Sequence, residues 1–168
     1  PQGKQRAAYR KTHLFSFMHE EDHQAPGDCL TQFDFKEGRA GFAICYDIRF
    51  PELFRSYALA DASLILMPSA FPDPRLEHWK TLLRARAIEN QLYVVAANYV
   101  GQSQVTGGET LNFFGHSCII DPWGEVIAEA GRDDEALLVA DIDFEYVKEI
   151  RAKMRVLDDR RPDLYQLD

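Results

Sequence analysis

Cys45 closes a short apolar run at residues 40–45, and the chain then turns polar, aromatic and charged before Pro51. A thiol at such a point is placed for nucleophilic chemistry. Its ordinary pKa of about 8.5 leaves a few per cent thiolate at neutral pH, and a helix N-terminus or a cation nearby lowers that value further. The competing reading is structural, because free cysteine is among the most buried residue types. Cys29 and Cys118 stay with that second reading, since neither closes a strand in a comparable setting. Upstream, the segment YRKTHLF carries Lys11, and HEEDHQAPGD adds acidic residues shortly after it. A lysine held in a pocket beside a carboxylate and a thiol can stabilise a developing oxyanion. Taken singly, Lys11 or Glu20 reads as a solvated charge, so the chemical reading depends on their company.

The elements that must position these residues follow from periodicity. Residues 40–45 read as a buried strand, and a helix follows with Pro51 at its first position and Leu53, Phe54, Tyr57 and Ala58 on one face. Residues 63–68 form a second strand, and a proline-rich loop leads to a helix over 78–91 carrying Trp79, Leu82, Leu83 and Ala87 at helical spacing. A third strand, 92–100, completes a βαβαβ run, which calls for parallel strands and right-handed crossovers. Ligands of such sheets bind beyond the carboxyl ends of the strands. That rule places Cys45 there, and Ser69, Ala70 and Phe71 after the second strand either contact substrate or pack. Beyond a polar loop at 101–115, two strands are predicted around a Pro-Trp-Gly turn, and residues 135–143 (EALLVADID) read as a third. An amphipathic helix aligns Phe144, Val147, Ile150 and Met154, and Leu164 and Tyr165 of the charged tail are expected to dock.

Composition narrows the partners. The 168 residues are 46% hydrophobic, enough to bury a core, and suit one domain or part of a larger one. A formal charge of −8 without any Lys/Arg cluster argues against nucleic acid or an anionic membrane surface as partner. Three sparse cysteines argue against a disulfide framework and favour a reducing cytoplasm. No apolar run approaches the roughly 20 residues that span a bilayer. His13, His19, His23 and His116 lack the paired spacing of a zinc site, so neither metal nor other cofactor is expected.

Together, YRKTHLF, GFAICYDIRFPEL, MPSAF, HWKTLLRARAIENQLYVVAAN, GHSCIIDPWGEVIAEAG and RRPDLY resemble the nitrilase superfamily of carbon-nitrogen hydrolases. The resemblance is nearest to its amidase branch, that of the ω-amidases and deaminated-glutathione amidases, and runs from about Tyr9 to Tyr165. It implies Glu-Lys-Cys chemistry, with Cys45 as nucleophile, Lys11 stabilising the tetrahedral intermediate, and the backbone N–H of Tyr46 as second oxyanion donor. Glu20 matches an additional site glutamate, with Glu21 its rival by one position. The general-base glutamate of the family precedes the lysine by more than the ten residues present here. Residues 1–168 are therefore expected to be the C-terminal portion of one hydrolase domain, an α/β fold of the nitrilase-type four-layer αββα sandwich lacking its N-terminal strands and helices. Such a piece is expected to be inactive alone, and doubtful as an unaided fold because sheet edges are exposed.

The implied reaction is hydrolysis of a linear amide of a small carboxylic acid, with release of ammonia. The same superfamily hosts N-carbamoyl and nitrile hydrolysis and acyl transfer, and a non-catalytic binding or assembly module remains an open alternative. The resemblance also implies a homo-oligomer, a dimer or larger. Asp47, Arg49 and Glu52 crowd the turn after Cys45, and a charge network that fixes the turn is the expected role. Arg86, Glu89 and Asn90 have the same scaffold explanation, and His78 and Trp79 either line the pocket or start the helix.

Overall fold

The computed structural model describes residues 3–104 and 108–165. Three apolar runs form a parallel core of strands: β2 (Gly38–Phe42), β3 (Leu64–Ser69) and β4 (Tyr93–Asn98). Between them run α1 (Pro51–Leu59) and α2 (Leu76–Asn90). Antiparallel neighbours extend the sheet. β1 (Gln32–Phe35) pairs with β2, while β7 (Cys118–Ile120) and β8 (Val126–Glu129) follow β4, giving the order β1-β2-β3-β4-β7-β8.

Strand alternation sends successive side chains to opposite faces, and both faces are used. Ile65, Met67, Val94 and Ala96 point into the larger core with Phe54, Tyr57, Trp79 and Leu83 of α1 and α2. Leu64, Leu66, Tyr93 and Val95 face the other way, where Phe144 and Val147 of α3 (Phe144–Lys153) pack on them. α1 sits close to the sheet because Gly41 has no side chain: a Cβ there would lie 2.8 Å from the Tyr57 ring. The result is an α/β fold with a mixed sheet. Among the described residues no helix is long and apolar enough to cross a membrane.

Several expectations are corrected. Regular β2 pairing stops at Phe42, so Cys45 does not end a strand; it opens a 3₁₀ turn, Cys45–Arg49. The polar loop is largely a hairpin of β5 (Val100–Gln104) and β6 (Thr110–Phe114), with residues 105–107 outside the described residues. Backbone pairing there outweighs the polar composition. Residues 135–143 form no strand, and Leu137 and Val139 are 90% and 82% exposed. Their alternation is strand-like, but among the described residues no ladder partner lies beside them. Leu164 and Tyr165 are exposed rather than docked, although the Tyr165 hydroxyl accepts from Arg161 N–H at 2.6 Å. Met154 caps α3 and is half exposed, unlike Phe144, Val147 and Ile150.

Candidate active site

The turn that carries Cys45 is held by its own sequence. The Asp47 carboxylate accepts from Ile44 N–H at 2.8 Å, and Asp47 N–H donates to Ile44 O at 3.0 Å. Cys45 takes φ 47°, in the left-handed region. That conformation costs a side-chain-bearing residue about 1–2 kcal/mol and collects at functional sites. In a 3₁₀ turn the first internal donor is the third residue, so the Tyr46 N–H is not consumed by the turn. The Tyr46 ring lies against Phe15 and Phe50, with centroids at 4.7 and 5.3 Å.

Asp47 is fully buried and joins this turn to the lysine segment 35 residues earlier. Besides Ile44, it accepts from the hydroxyls of Tyr9 (2.9 Å) and Thr12 (3.1 Å) and from His13 N–H (3.0 Å). His13 Nδ1 lies 2.8 Å from the same carboxylate, and its ring stacks on Phe50 at 3.6 Å. Buried carboxylates persist where several donors converge on them. Of the three residues expected to form a charge network here, only Asp47 fixes the turn, and it does so through hydrogen bonds. Arg49 lies against the Tyr46 and Phe71 rings, and among the described residues no ion pair joins Arg49 or Glu52 to Asp47.

Lys11 is buried, and its Nζ donates to both Glu20 oxygens, at 2.7 and 2.6 Å. Glu20 is fixed in turn by Phe15 N–H at 2.8 Å. The neighbouring Glu21 is exposed, so Glu20 is the carboxylate that meets the lysine. Gly27 lets the following segment return over Lys11: its N–H donates to Lys11 O at 2.7 Å, and a Cβ there would fall 2.3 Å from Arg10 O.

Lys11, Glu20 and Cys45 line one cavity of about 750 Å³. Ser69 and Ala70 form its wall at the end of β3, and Tyr9, Met18, Gln24 and Pro26 complete much of the rest. The Cys45 thiol points at this wall, with Sγ 3.6 Å from Ala70 O. Phe71, a candidate for substrate contact, is instead a core residue, buried and packed on Trp79 and Phe114 at 5.4 and 6.2 Å. Asn98 holds the Phe71 backbone just beyond the end of β3. Asn98 Oδ1 accepts from Phe71 N–H at 2.7 Å, and its Nδ2 donates to Phe71 O and Gly115 O.

Trp79 belongs to the core, donating Nε1–H to His116 O, while His78 is exposed. Arg86 steadies the Cys45 turn from α2 by donating to Ile48 O at 2.9 Å and pairing with Glu89 at 2.8 Å. Sequence reasoning missed Tyr9, Gln24 and Asn98. Tyr9 had a signal, since a residue two before Lys11 falls on the same side of an extended chain. Gln24 and Asn98 had none.

Burial raises the Cys45 thiol above its ordinary value; Lys11 opposes the rise, while Glu20 and Asp47 add to it. The expected helix-driven lowering is outweighed, because withdrawal from water disfavours the thiolate. Such a thiol needs a base before it can attack.

Residues 1–152 match the carbon-nitrogen hydrolase family, and the chain belongs to that family. It is 44% identical over 157 residues to the 2-oxoglutaramate amidase of Bacillus subtilis, covering 94% of this chain and 58% of that protein. It is 42% identical over 168 residues to the deaminated glutathione amidase of Mus musculus, covering 95% of this chain and 50% of that protein. The solved carbon-nitrogen hydrolase of Helicobacter pylori superposes with a TM-score of 0.86 at 32% identity, over 94% of this chain and 58% of that one. The chain thus spans between half and three-fifths of the length of these relatives, and its fold is of the nitrilase-superfamily kind.

Proposed function

We propose that the full-length protein is an amidase that hydrolyses a linear amide of a small carboxylic acid through a Cys45 thioester. The observation that carries this reading is the shared cavity in which the Cys45 thiol and the Lys11–Glu20 pair meet. The similarity to two amidases named for 2-oxoglutaramate and deaminated glutathione supports the same class.

In this reading the Cys45 sulfur, relieved of its proton, adds to the amide carbonyl. The oxyanion that forms is met by Lys11 Nζ and the Tyr46 N–H, and one such donor contributes about 3–4 kcal/mol to the transition state. The C–N bond then breaks and the nitrogen leaves as ammonia, carrying the proton taken from the thiol. Water adds to the thioester, the C–S bond breaks, and the acid departs with Cys45 restored as a thiol.

Glu20 orients the lysine. Both its oxygens face Lys11 Nζ and one also holds Phe15 N–H, so it is poorly placed to shuttle protons. That task falls to a glutamate upstream of this sequence, residues 1–168 being the C-terminal portion of the hydrolase domain. The protein acts in the reducing cytoplasm as a dimer or larger homo-oligomer.

The test is ammonia release by full-length protein from an ω-amide such as 2-oxoglutaramate. Cys45→Ala is expected to abolish it, and an unchanged rate would end the assignment. A panel including N-carbamoyl compounds and nitriles, run on the unmutated protein, separates the amidase reading from its closest chemical rivals.

A further inference from the structure

Ser69 ends β3 and lines the cavity, one residue before the carbonyl that receives the Cys45 thiol. Its Oγ is buried and has no hydrogen-bond partner among the described residues. A buried hydroxyl left unpaired costs about 1–3 kcal/mol, and one kept at a cavity wall points to a ligand that completes it.

Most of the other polar groups of the wall are engaged, and the side chain of Gln24 is exposed at its edge. Glu20 holds Lys11 and Phe15 N–H, the Tyr9 hydroxyl bonds to Asp47 and Thr12, Ala70 O faces the thiol, and Arg10 pairs with Asp28 at 2.9 Å. A primary amide brings one carbonyl oxygen and an –NH₂ with two donors into this space. With the oxygen directed at Lys11 and the Tyr46 N–H, the nitrogen requires acceptors. Of the buried side-chain atoms without a partner among the described residues, Ser69 Oγ is the one that belongs to a residue of this wall.

Resting on the amidase reading above, we propose that Ser69 Oγ accepts a hydrogen bond from the substrate –NH₂ and makes the site select amides over esters of the same acyl group. An ester has no proton at that position, and its alkoxy oxygen is a weak acceptor shielded by an alkyl group. A site built to pair an N–H discriminates against the analogue that lacks it, because its own polar group is then left unpaired.

The experiment compares the monoamide and the monomethyl ester of one dicarboxylic acid, with the released diacid quantified by chromatography. Full-length wild type, Ser69→Ala and Ser69→Thr are assayed for kcat/KM on both substrates. Ser69→Ala is expected to lower the amide value about tenfold while the ester value stays within about twofold, the size of one lost neutral hydrogen bond. Ser69→Thr, which keeps a hydroxyl, is expected to keep the amide preference. An unchanged amide-to-ester ratio in Ser69→Ala, or an equal fall on both substrates, overturns the proposal. Cys45→Ala on the same two substrates keeps the two ideas apart. If it abolishes ester cleavage while Ser69→Ala leaves the ratio untouched, the cysteine chemistry stands and the Ser69 role falls. If Cys45→Ala leaves both substrates turning over at the wild-type rate, both fall.

Discussion

Cys45 and Lys11 influence each other through charge. Burial holds the thiol protonated above its ordinary range, and the ammonium of Lys11 pulls the other way. Removing that charge while keeping an apolar stem, as in Lys11→Met, leaves Glu20 and Asp47 as the nearest charges, both of which favour the protonated thiol. The alkylation curve of Cys45 with iodoacetamide is therefore expected to move to higher pH than in the wild type. It is measured by mass spectrometry over about pH 7–10, the range in which thiols ionise, with exposed Cys29 as internal reference. An unmoved curve would mean that the lysine charge does not reach the sulfur. Turnover should fall about 10²–10³-fold in the same variant, as for loss of an oxyanion donor.

At the level of elements, the site depends on a joint between two segments that carry none of the joint's energy alone. Asp47 holds the Cys45 turn by Ile44 N–H and the lysine segment by Tyr9, Thr12 and His13. An asparagine there has one acceptor oxygen where two served, and its amide hydrogens face donors. Hydrogen bonds to a charged group contribute about 1.5–3 kcal/mol each, so Asp47→Asn is expected to cost about 3 kcal/mol, read as a fall in the urea midpoint. A change below about 0.5 kcal/mol, typical of surface positions, would show that the joint is not held this way. The elements on either side were legible because their patterns are local. α1 begins at Pro51 and buries the four positions that helical spacing selects, and β2, β3 and β4 follow the apolar runs within a few residues. Residues 135–143 show the limit of that reasoning. Alternation there is as good as in a true strand, yet a ladder needs a neighbour, and alternation says nothing about neighbours.

Across the whole molecule, stability should depend on alkaline pH through buried thiols. Burial pushes the Cys118 thiol up to about 12, and Cys45 rises as well. Above about pH 9 an unfolded chain releases these protons while the native state keeps them, so the native state binds more protons and stability falls as pH rises. The contribution is full below pH 9 and is lost progressively toward about 12, at up to about 1.4 kcal/mol per pH unit for Cys118. Urea midpoints taken between about pH 8 and 10 should decline, and Cys118→Ala should make the decline shallower. A slope unaffected by that substitution would contradict the burial argument. Tyr9, Tyr57 and Tyr93, also raised by burial, add the same sign at higher pH.

The amino-acid order alone determined the βαβαβ run, the helix faces, the family resemblance and the thiol, because each is written in residues close together in the chain. Only the tertiary structure decided that Glu20 rather than Glu21 meets Lys11, that Phe71 turns into the core, and that Ser69 Oγ is left unpaired at the cavity wall. Those outcomes depend on how segments pack, through contacts that range from the nine positions separating Lys11 from Glu20 to the 34 separating His13 from Asp47. Local periodicity carries no information about such contacts, whereas packing decides which buried polar groups find partners.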